Sequence, residues 1–324
     1  MTTQLICLGE AVADLVEGPT DVFTRYVGGA PVNVAVAAAR SGLQTSYRSV
    51  LGDDAAAYTL RSTLDEARVD CSSCKEQDVK TMVAFAALAA QPGAAETSYS
   101  FFLDPHTYQL DPLAFCQPSF SQHQIIHFGA VALAIAGLRE AVISAVSQAH
   151  RAGAMISFDV NWRSELWPHS SVWQWEVRAA VGQADLVKVN AQELHLLTDC
   201  DAIDEGIATL MKEGVKAVLL TQGGAGSRYV DQFGHDEHVA AYTVQEVADT
   251  IGAGDVFTGA FLAALMQLEP LGAPPLTKIA GYSSAQVHRA MAYASCAAGL
   301  STRFHGGTAA PFRAQVEEAL QEWK

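Results

Sequence analysis

Positive charge is scarce in this sequence: 20 lysines and arginines stand against 35 aspartates and glutamates, a formal net charge of −15 over 324 residues. A field of that sign repels phosphate backbones and anionic membranes, which argues against nucleic acid or a lipid surface as a partner. An anionic nucleotide would dock only where Mg2+, a helix N-terminus or a few local cations reverse the field. Long apolar runs are missing too. Nothing approaches the roughly 20 residues of a membrane span, and Met1 to Glu10 lacks the basic and extended apolar regions of a signal peptide. The expected location is cytoplasmic. Six cysteines (Cys7, Cys71, Cys74, Cys116, Cys200, Cys296) are too thinly spread for a disulfide scaffold. Cys71 and Cys74 make a Cys-x-x-Cys pair, but no second pair or neighbouring histidine completes a zinc set, and no flanking strand–helix pattern suggests thioredoxin chemistry. The pair reads as part of a small polar connector. Also absent are the Gly-x-x-x-x-Gly-Lys-Ser/Thr loop, the Gly-x-Gly-x-x-Gly fingerprint, internal repeats and low-complexity tracts.

What is present is the composition of a folded globular chain, half of it hydrophobic and 17% charged. Short apolar runs at Leu5 to Leu8, Ile125 to Phe128, Met155 to Phe158, Leu186 to Val189 and Val218 to Leu220 read as buried strands. Between them lie helical stretches such as Gly137 to Arg151, where Leu138, Val142, Ile143 and Val146 recur at helical spacing. The alternation predicts an α/β fold with a central, mostly parallel sheet flanked by helices. Two segments break it, approximately 10–28 and 80–108. In the second, Thr81 to Leu88 and Thr97 to Phe102 suggest a hairpin joined through Gln91, Pro92 and Gly93. These strands are expected to form a small β lid inserted in a single domain spanning 1–324.

Ligand sites in open α/β sheets lie where strands end and loops enter helices. The strongest such feature is Asp249-Thr250-Ile251-Gly252-Ala253-Gly254-Asp255, followed by an apolar helical series from Phe257 to Leu268. Gly252 and Gly254 allow amides of the turn to point at an anion with the helix dipole behind them. Asp255, in the first helical turn, is expected to stay ionised and to serve as a base; an ordinary acidic N-cap is the competing reading. A second turn, Gly28-Gly29-Ala30-Pro31-Val32-Asn33-Val34-Ala35, opens an alanine-rich helix that stops at Gly42. Asn33 there either holds sugar hydroxyls or caps the helix.

With these turns, the chain resembles the ribokinase-like (PfkB) carbohydrate kinases, and their fructokinase branch in particular. The resemblance runs over nearly the whole chain. It takes in Gly9-Glu10 with Asp14, the Gly28 to Ala35 turn, Asp159-Val160-Asn161-Trp162-Arg163 with Leu166 and Trp167, Lys188-Val189-Asn190 with Glu193, Thr221 to Gly226, and the Asp249 to Asp255 turn.

The resemblance implies an ATP-dependent sugar kinase with a ribokinase-like fold. Asp255 would be the catalytic base, with Gly252, Ala253 and Gly254 as the anion hole. Asp14, Gly29 and Asn33 would contact the sugar; by itself Asp14 would pass for a solvated loop acid. Asn190 and Glu193 would place Mg2+ through its water shell, or simply start a helix. Thr221, Gly223 and Gly226, with Asn190, would lie along ATP, or form a tight connection between strands. Arg163 follows a strand's carboxyl end in an acidic protein, where it reaches the substrate or the transferred phosphoryl group, or else makes a surface ion pair. Asp249 would help hold a monovalent cation, K+. The lid strands offer edges through which two copies could pair as a homodimer.

Three departures bear on the substrate. Ile251 replaces a threonine common in the turn without removing backbone donors. Ala57 follows Gly52-Asp53-Asp54 where a glycine is usual. Leu103 stands where fructokinases and 2-keto-3-deoxygluconate kinases usually carry an arginine, so a substrate carboxylate would lose its cationic partner. The expected reaction is transfer of the ATP γ-phosphate to a primary hydroxyl of a ketohexose, fructose first. The alternatives are a 2-keto-3-deoxygluconate kinase, a ribokinase, a nucleoside or aminoimidazole-riboside kinase stacking its base on Phe101, Phe102 or Tyr108, and a non-catalytic sugar sensor.

Overall fold

The computed structural model describes residues 4–18, 22–87, 98–103, 111–167, 172–267, 279 and 281–323. Its strands are β1 (Leu5–Leu8), β2 (Val12–Glu17), β3 (Phe23–Gly28), β4 (Thr45–Arg48), β5 (Val50–Leu51), β6 (Lys75–Glu76), β7 (Met82–Ala87), β8 (Ser98–Phe102), β9 (Ile125–Gly129), β10 (Met155–Asp159), β11 (Leu186–Asn190), β12 (Ala217–Thr221), β13 (Ser227–Asp231) and β14 (Asp236–Val239). Its helices are α1 (Ala30–Arg40), α2 (Ala55–Glu66), α3 (Pro112–Phe115), α4 (Ala130–Ala134), α5 (Ala136–Arg151), α6 (Val172–Val181), α7 (Ala191–Thr198), α8 (Ile203–Lys212), α9 (Ala253–Gln267), α10 (Ser284–Ser301) and α11 (Arg313–Glu322).

Eight strands form the central sheet in the order β14-β13-β12-β11-β10-β9-β1-β4. From β4 to β12 every pairing is parallel; β13 and β14 add an antiparallel edge. The continuous apolar runs are explained by burial on both faces. In β1, Leu5 and Cys7 join one core with residues of α1, α9 and α10, whereas Ile6 and Leu8 join the other with residues of α4 and α5. Each such fully buried aliphatic side chain contributes roughly 1.5–3 kcal/mol relative to exposure. The helix expected from Gly137 begins one residue earlier, and its buried stripe is Leu138, Ala141, Val142, Ala145, Val146 and Ala149.

The segments that broke the alternation form a second sheet, ordered β3-β2-β7-β8. The two arms of the expected hairpin are present as β7 and β8, paired antiparallel, while their connection at 88–97 and the stretch 104–108, including Tyr108, lie outside the described residues. Burial along β7 has the two-residue period of a sheet with unlike faces. Met82, Ala84 and Ala86 are buried, whereas Val83 and Phe85 are partly exposed. Val12, Met82 and Ala84 join the core that contains Phe128 and Val131, so this inner face packs where β9 passes into α4.

One close approach positions the site. Gly259 in α9 faces α1, and a Cβ there would run into Val34 and Ala37. Its absence lets the two helices pack closely, and one turn toward their N-termini lie Asn33 of α1 and Asp255 of α9. Among the described residues, no helix is long and apolar enough to cross a membrane.

Candidate active site

At that shared mouth, Asn33 Nδ2 donates a 2.8 Å hydrogen bond to Asp255 Oδ2. The bond bears on the capping reading of Asn33. The residue does not cap α1, whose N-cap is Gly29 with no side-chain cap; its amide is turned instead to the carboxylate 222 positions away. Nor is Asp255 a solvated N-cap, because it is buried inside the first turn of α9. Burial pushes its pKa up to about 6, with Asp159 adding to the rise and Asn33, Lys188 and Arg163 opposing it. This corrects the expectation that the helix end alone keeps the group firmly ionised: desolvation outweighs the dipole here. The result suits a base, since a pKa just below neutrality combines an ionised ground state with useful proton affinity.

The glycine turn is held from outside. Gly252 has φ +77°, and its α-carbon faces the backbone of Gly307 so closely that no side chain would fit. Asp249 ties the turn down, Oδ1 accepting from Ile251 N–H at 2.8 Å and Oδ2 from Gly306 N–H at 3.0 Å. His305 Nδ1 lies 3.9 Å from Asp249 Oδ2, and its ring sits 6.3 Å from that of Tyr26 on β3, linking the small sheet to the turn. Ile251 keeps its backbone donor in this arrangement, as expected from the sequence.

Acidic groups converge on this mouth. Asp14 lies within β2 opposite Tyr26 and is buried, so it is no solvated loop acid. Burial pushes its pKa up to about 7, with Asp255 and Asp249 adding and Arg163 opposing. Glu10 is buried more deeply still, and its pKa is pushed up to about 8 by burial, Asp255 adding. Arg163 offsets all three carboxylates. Its guanidinium lies 5.1 Å from the centre of the Tyr99 ring and donates to Trp162 O at 2.9 Å. It faces the mouth, and among the described residues it makes no ion pair at the surface.

Next along the sheet, Lys188 of β11 pairs with Asp159 of β10 at 3.1 Å, with side-chain exposures of 9% and 0%. Burial works against the ammonium, but Asp159, then Glu193 and Asp255, hold its pKa above the ordinary value. A Cβ on Gly254 would stand 3.3 Å from Lys188 Nζ, so this cation sits against the glycine turn. Sequence reasoning missed the pair's role. Lys188 interrupts an apolar strand run, and a charge in that setting was the available signal.

Asn190 and Glu193 form a capping box. Asn190 Oδ1 accepts from Glu193 N–H and Glu193 Oε2 from Asn190 N–H, both at 2.8 Å, while Glu193 Oε1 accepts from Trp162 N–H at 2.9 Å. Helix initiation is therefore part of what this pair does. Asn190 and Thr221 are register partners at the ends of β11 and β12. Gly223 and Gly226, at φ +55° and +101°, belong to the turn from β12 into β13, Gly223 exposed and Gly226 buried against Val239. Thus Asp14, Gly29, Asn33, Arg163 and the Gly252–Asp255 turn gather at one mouth, and Asn190, Glu193, Thr221, Gly223 and Gly226 lie along the neighbouring strand ends, with Lys188 between. Buried polar atoms left without a protein partner include Asn33 Oδ1, Glu10 Oε2 and Asp159 Oδ2, acceptors suited to sugar hydroxyls or to the waters around a cation.

The remaining departures are also placed. Ala57 is buried, and its N–H, like that of Ala56, donates to Asp54, which caps α2. The loop is built without the missing glycine. Leu103 packs against the apolar core that contains Phe128.

Comparison with known proteins agrees with this geometry. Residues 2–313 match the model of the pfkB family carbohydrate kinases. A fructokinase from Vibrio alginolyticus is 33% identical over 264 residues, covering 81% of this chain and 84% of that protein. The crystal structure of a fructokinase with bound ATP from Xylella fastidiosa superposes with a TM-score of 0.89 at 27% identity, covering 100% of this chain and 99% of that one. A double-mutant fructokinase from Vibrio cholerae O395, in a form with fructose, ADP and potassium ion bound, gives a TM-score of 0.85 at 28% identity over 98% of both chains. The chain has the ribokinase-like fold and belongs to the pfkB family of carbohydrate kinases, ATP-dependent phosphotransferases.

Proposed function

We propose that this kinase transfers the γ-phosphate of ATP to a primary hydroxyl of a ketohexose, with fructose as the first choice. The observation that carries the reading is the buried Asn33–Asp255 pair set beside the Gly252–Gly254 amides, in a chain whose relatives are named fructokinases.

In this reading Asp14, Asn33 and the backbone at Gly29 hold the sugar, carboxylate and amide groups being natural partners for a polyol. Asp255 takes the proton from the hydroxyl as its oxygen attacks the γ-phosphorus. The amides of Gly252, Ala253 and Gly254 stabilise charge on the transferring group, and Arg163 supplies a cation facing the same mouth. Asn190, Thr221, Gly223 and Gly226 lie along the nucleotide.

Mg2+ would neutralise the phosphate oxygens when bound. Among the described residues no cluster of three or more acidic, histidine or cysteine side chains could grip a metal directly. Glu193 and Asn190, already engaged with backbone N–H groups, fit an ion held through water, as Mg2+ commonly is. Asp249, with both oxygens buried beside the turn, is our candidate for holding K+.

We read the whole chain, 1–324, as one kinase domain. A homodimer would cover the outer face of the small sheet, where Phe23, Phe85 and Phe102 form a row with neighbouring ring centres 5.3 Å apart and with Phe23 and Phe102 exposed.

Leu103 favours a neutral acceptor over a keto acid, since it offers an apolar side chain where a carboxylate would need a cation. One observation favours a second acceptor, an aminoimidazole riboside or nucleoside: Tyr99 and Phe101 stack at 5.9 Å beside Arg163 and could receive a base. A coupled ADP-release screen with fructose, ribose, 2-keto-3-deoxygluconate, adenosine and aminoimidazole riboside separates these readings. We expect the highest kcat/KM for fructose; a higher value for any other acceptor overturns the assignment.

A further inference from the structure

Five of the six cysteines divide into two kinds, and the sixth, Cys200, stands alone and partly exposed after α7. Cys7, Cys116 and Cys296 are buried and single, and burial raises each thiol's pKa. Cys71 and Cys74, which the sequence offered only as part of a polar connector, are a pair built into a turn between α2 and β6.

The N–H of Cys74 donates to the carbonyl of Cys71 at 2.9 Å. A turn closed in this way keeps its end α-carbons within about 7 Å, near the span that a disulfide bridges. The two thiols are close enough to perturb each other's ionisation. Each sulfur is also steered by a carbonyl, Cys71 Sγ lying 3.5 Å from Val69 O and Cys74 Sγ 3.2 Å from Tyr47 O. Their environments are unequal. Cys71 has its thiol pKa lowered by the neighbouring Cys74, with Arg61 helping and burial, Asp70 and Asp65 opposing. Cys74 is raised well above the ordinary value by the neighbouring Cys71 and by its burial. Two partly exposed thiols at the ends of one turn, one with its pKa lowered and the other with its pKa raised, make the arrangement of an attacking and a resolving thiol. A thiophilic metal is the weaker reading, because among the described residues no third ligand completes a site.

We infer that Cys71 and Cys74 form a thiol–disulfide exchange site, at which Cys71 attacks a small disulfide and Cys74 resolves the adduct. The Cys71 thiolate attacks one sulfur of RSSR, forming Cys71–S–SR and releasing RS⁻, which takes up a proton. Cys74 then loses its proton, attacks Cys71 Sγ and expels the second RS⁻. The net change is two protein thiols and one RSSR to one protein disulfide and two RSH. The chain's net charge of −15 repels anionic disulfides, so an uncharged reagent is the appropriate probe.

The experiment treats the reduced full-length protein with hydroxyethyl disulfide, blocks free thiols with an alkylating agent at timed intervals, and maps tryptic peptides by mass. Both cysteines fall in the peptide Val69–Lys75. The expected result is a Val69–Lys75 peptide lighter by two hydrogens and unalkylated, formed before modification of Cys7, Cys116, Cys200 or Cys296. Cys74→Ser should stop at the mixed disulfide on Cys71, and Cys71→Ser should be modified at Cys74 at least about tenfold more slowly. A wild-type peptide that remains a dithiol overturns the inference without recourse to any variant. So does Cys71→Ser reacting at Cys74 as fast as Cys74→Ser reacts at Cys71.

Discussion

Asn33 and Asp255 are joined by a 2.8 Å hydrogen bond between the first turns of two helices that Gly259 allows to pack closely. The amide donates, so it favours the ionised carboxylate against the burial that disfavours it. Replacing Asn33 by Ala removes that support. The expected loss in kcat/KM is roughly 10- to 100-fold, corresponding to a hydrogen bond to a charged group. The acid limb of the pH profile should also move to higher pH. Initial rates over a pH series, wild type against Asn33→Ala, read both.

The pH dependence of wild type follows from the same group. A base works only when ionised, and burial places the Asp255 pKa at about 6. Activity should be steady near neutrality and fall as pH drops through about 6, approaching a tenfold loss per unit below it. A limb centred near the ordinary aspartate value would mean that burial does not control the group.

Lys188 and Asp159 make an ion pair with almost no solvent contact. Truncating one partner leaves the other charge buried alone, so Lys188→Met should cost about 3–5 kcal/mol of stability by urea denaturation. Asp255 would lose a stabilising cation at the same time, so phosphoryl transfer should fall even where the variant is folded.

Asp14 shows the opposite balance between charge and stability. Its folded-state pKa, about 7, lies above the ordinary value of 3.8. Such a group contributes stability that is fully present below the unfolded pKa and is lost as pH rises through the folded one. Asp14→Asn should therefore be more stable than wild type at pH 8, on the order of 4 kcal/mol, with the difference vanishing below about pH 4. The same change should raise the KM for the sugar. Chemical denaturation at the two pH values and a sugar titration separate the effects.

Much of the framework was legible because burial on both faces of a parallel sheet writes itself as continuous apolar runs. Leu5–Leu8, Ile125–Gly129 and Leu186–Asn190 were found within a residue of their ends. The glycine turn was legible for a similar reason, since Gly252 and Gly254 have few other uses before a helix. Periodicity reports which way a side chain faces, but not what it meets. Hence Asn33 could be read as a cap until the turn of α9 stood beside it, and the raised pKa of Asp255 could not be foreseen from a helix dipole alone. Lys188 with Asp159 and Gly306 with Gly307 were missed as parts of the site for the same reason, being brought in by contacts between distant segments.

The most direct test of the proposed mechanism is the turnover of Asp255→Asn with ATP and fructose at neutral pH, alongside its nucleotide affinity and circular dichroism. Asparagine preserves the shape and removes the base. A folded variant with wild-type ATP affinity and turnover reduced on the order of 10² or more is the expected result. Turnover close to that of wild type would show that Asp255 is not the base.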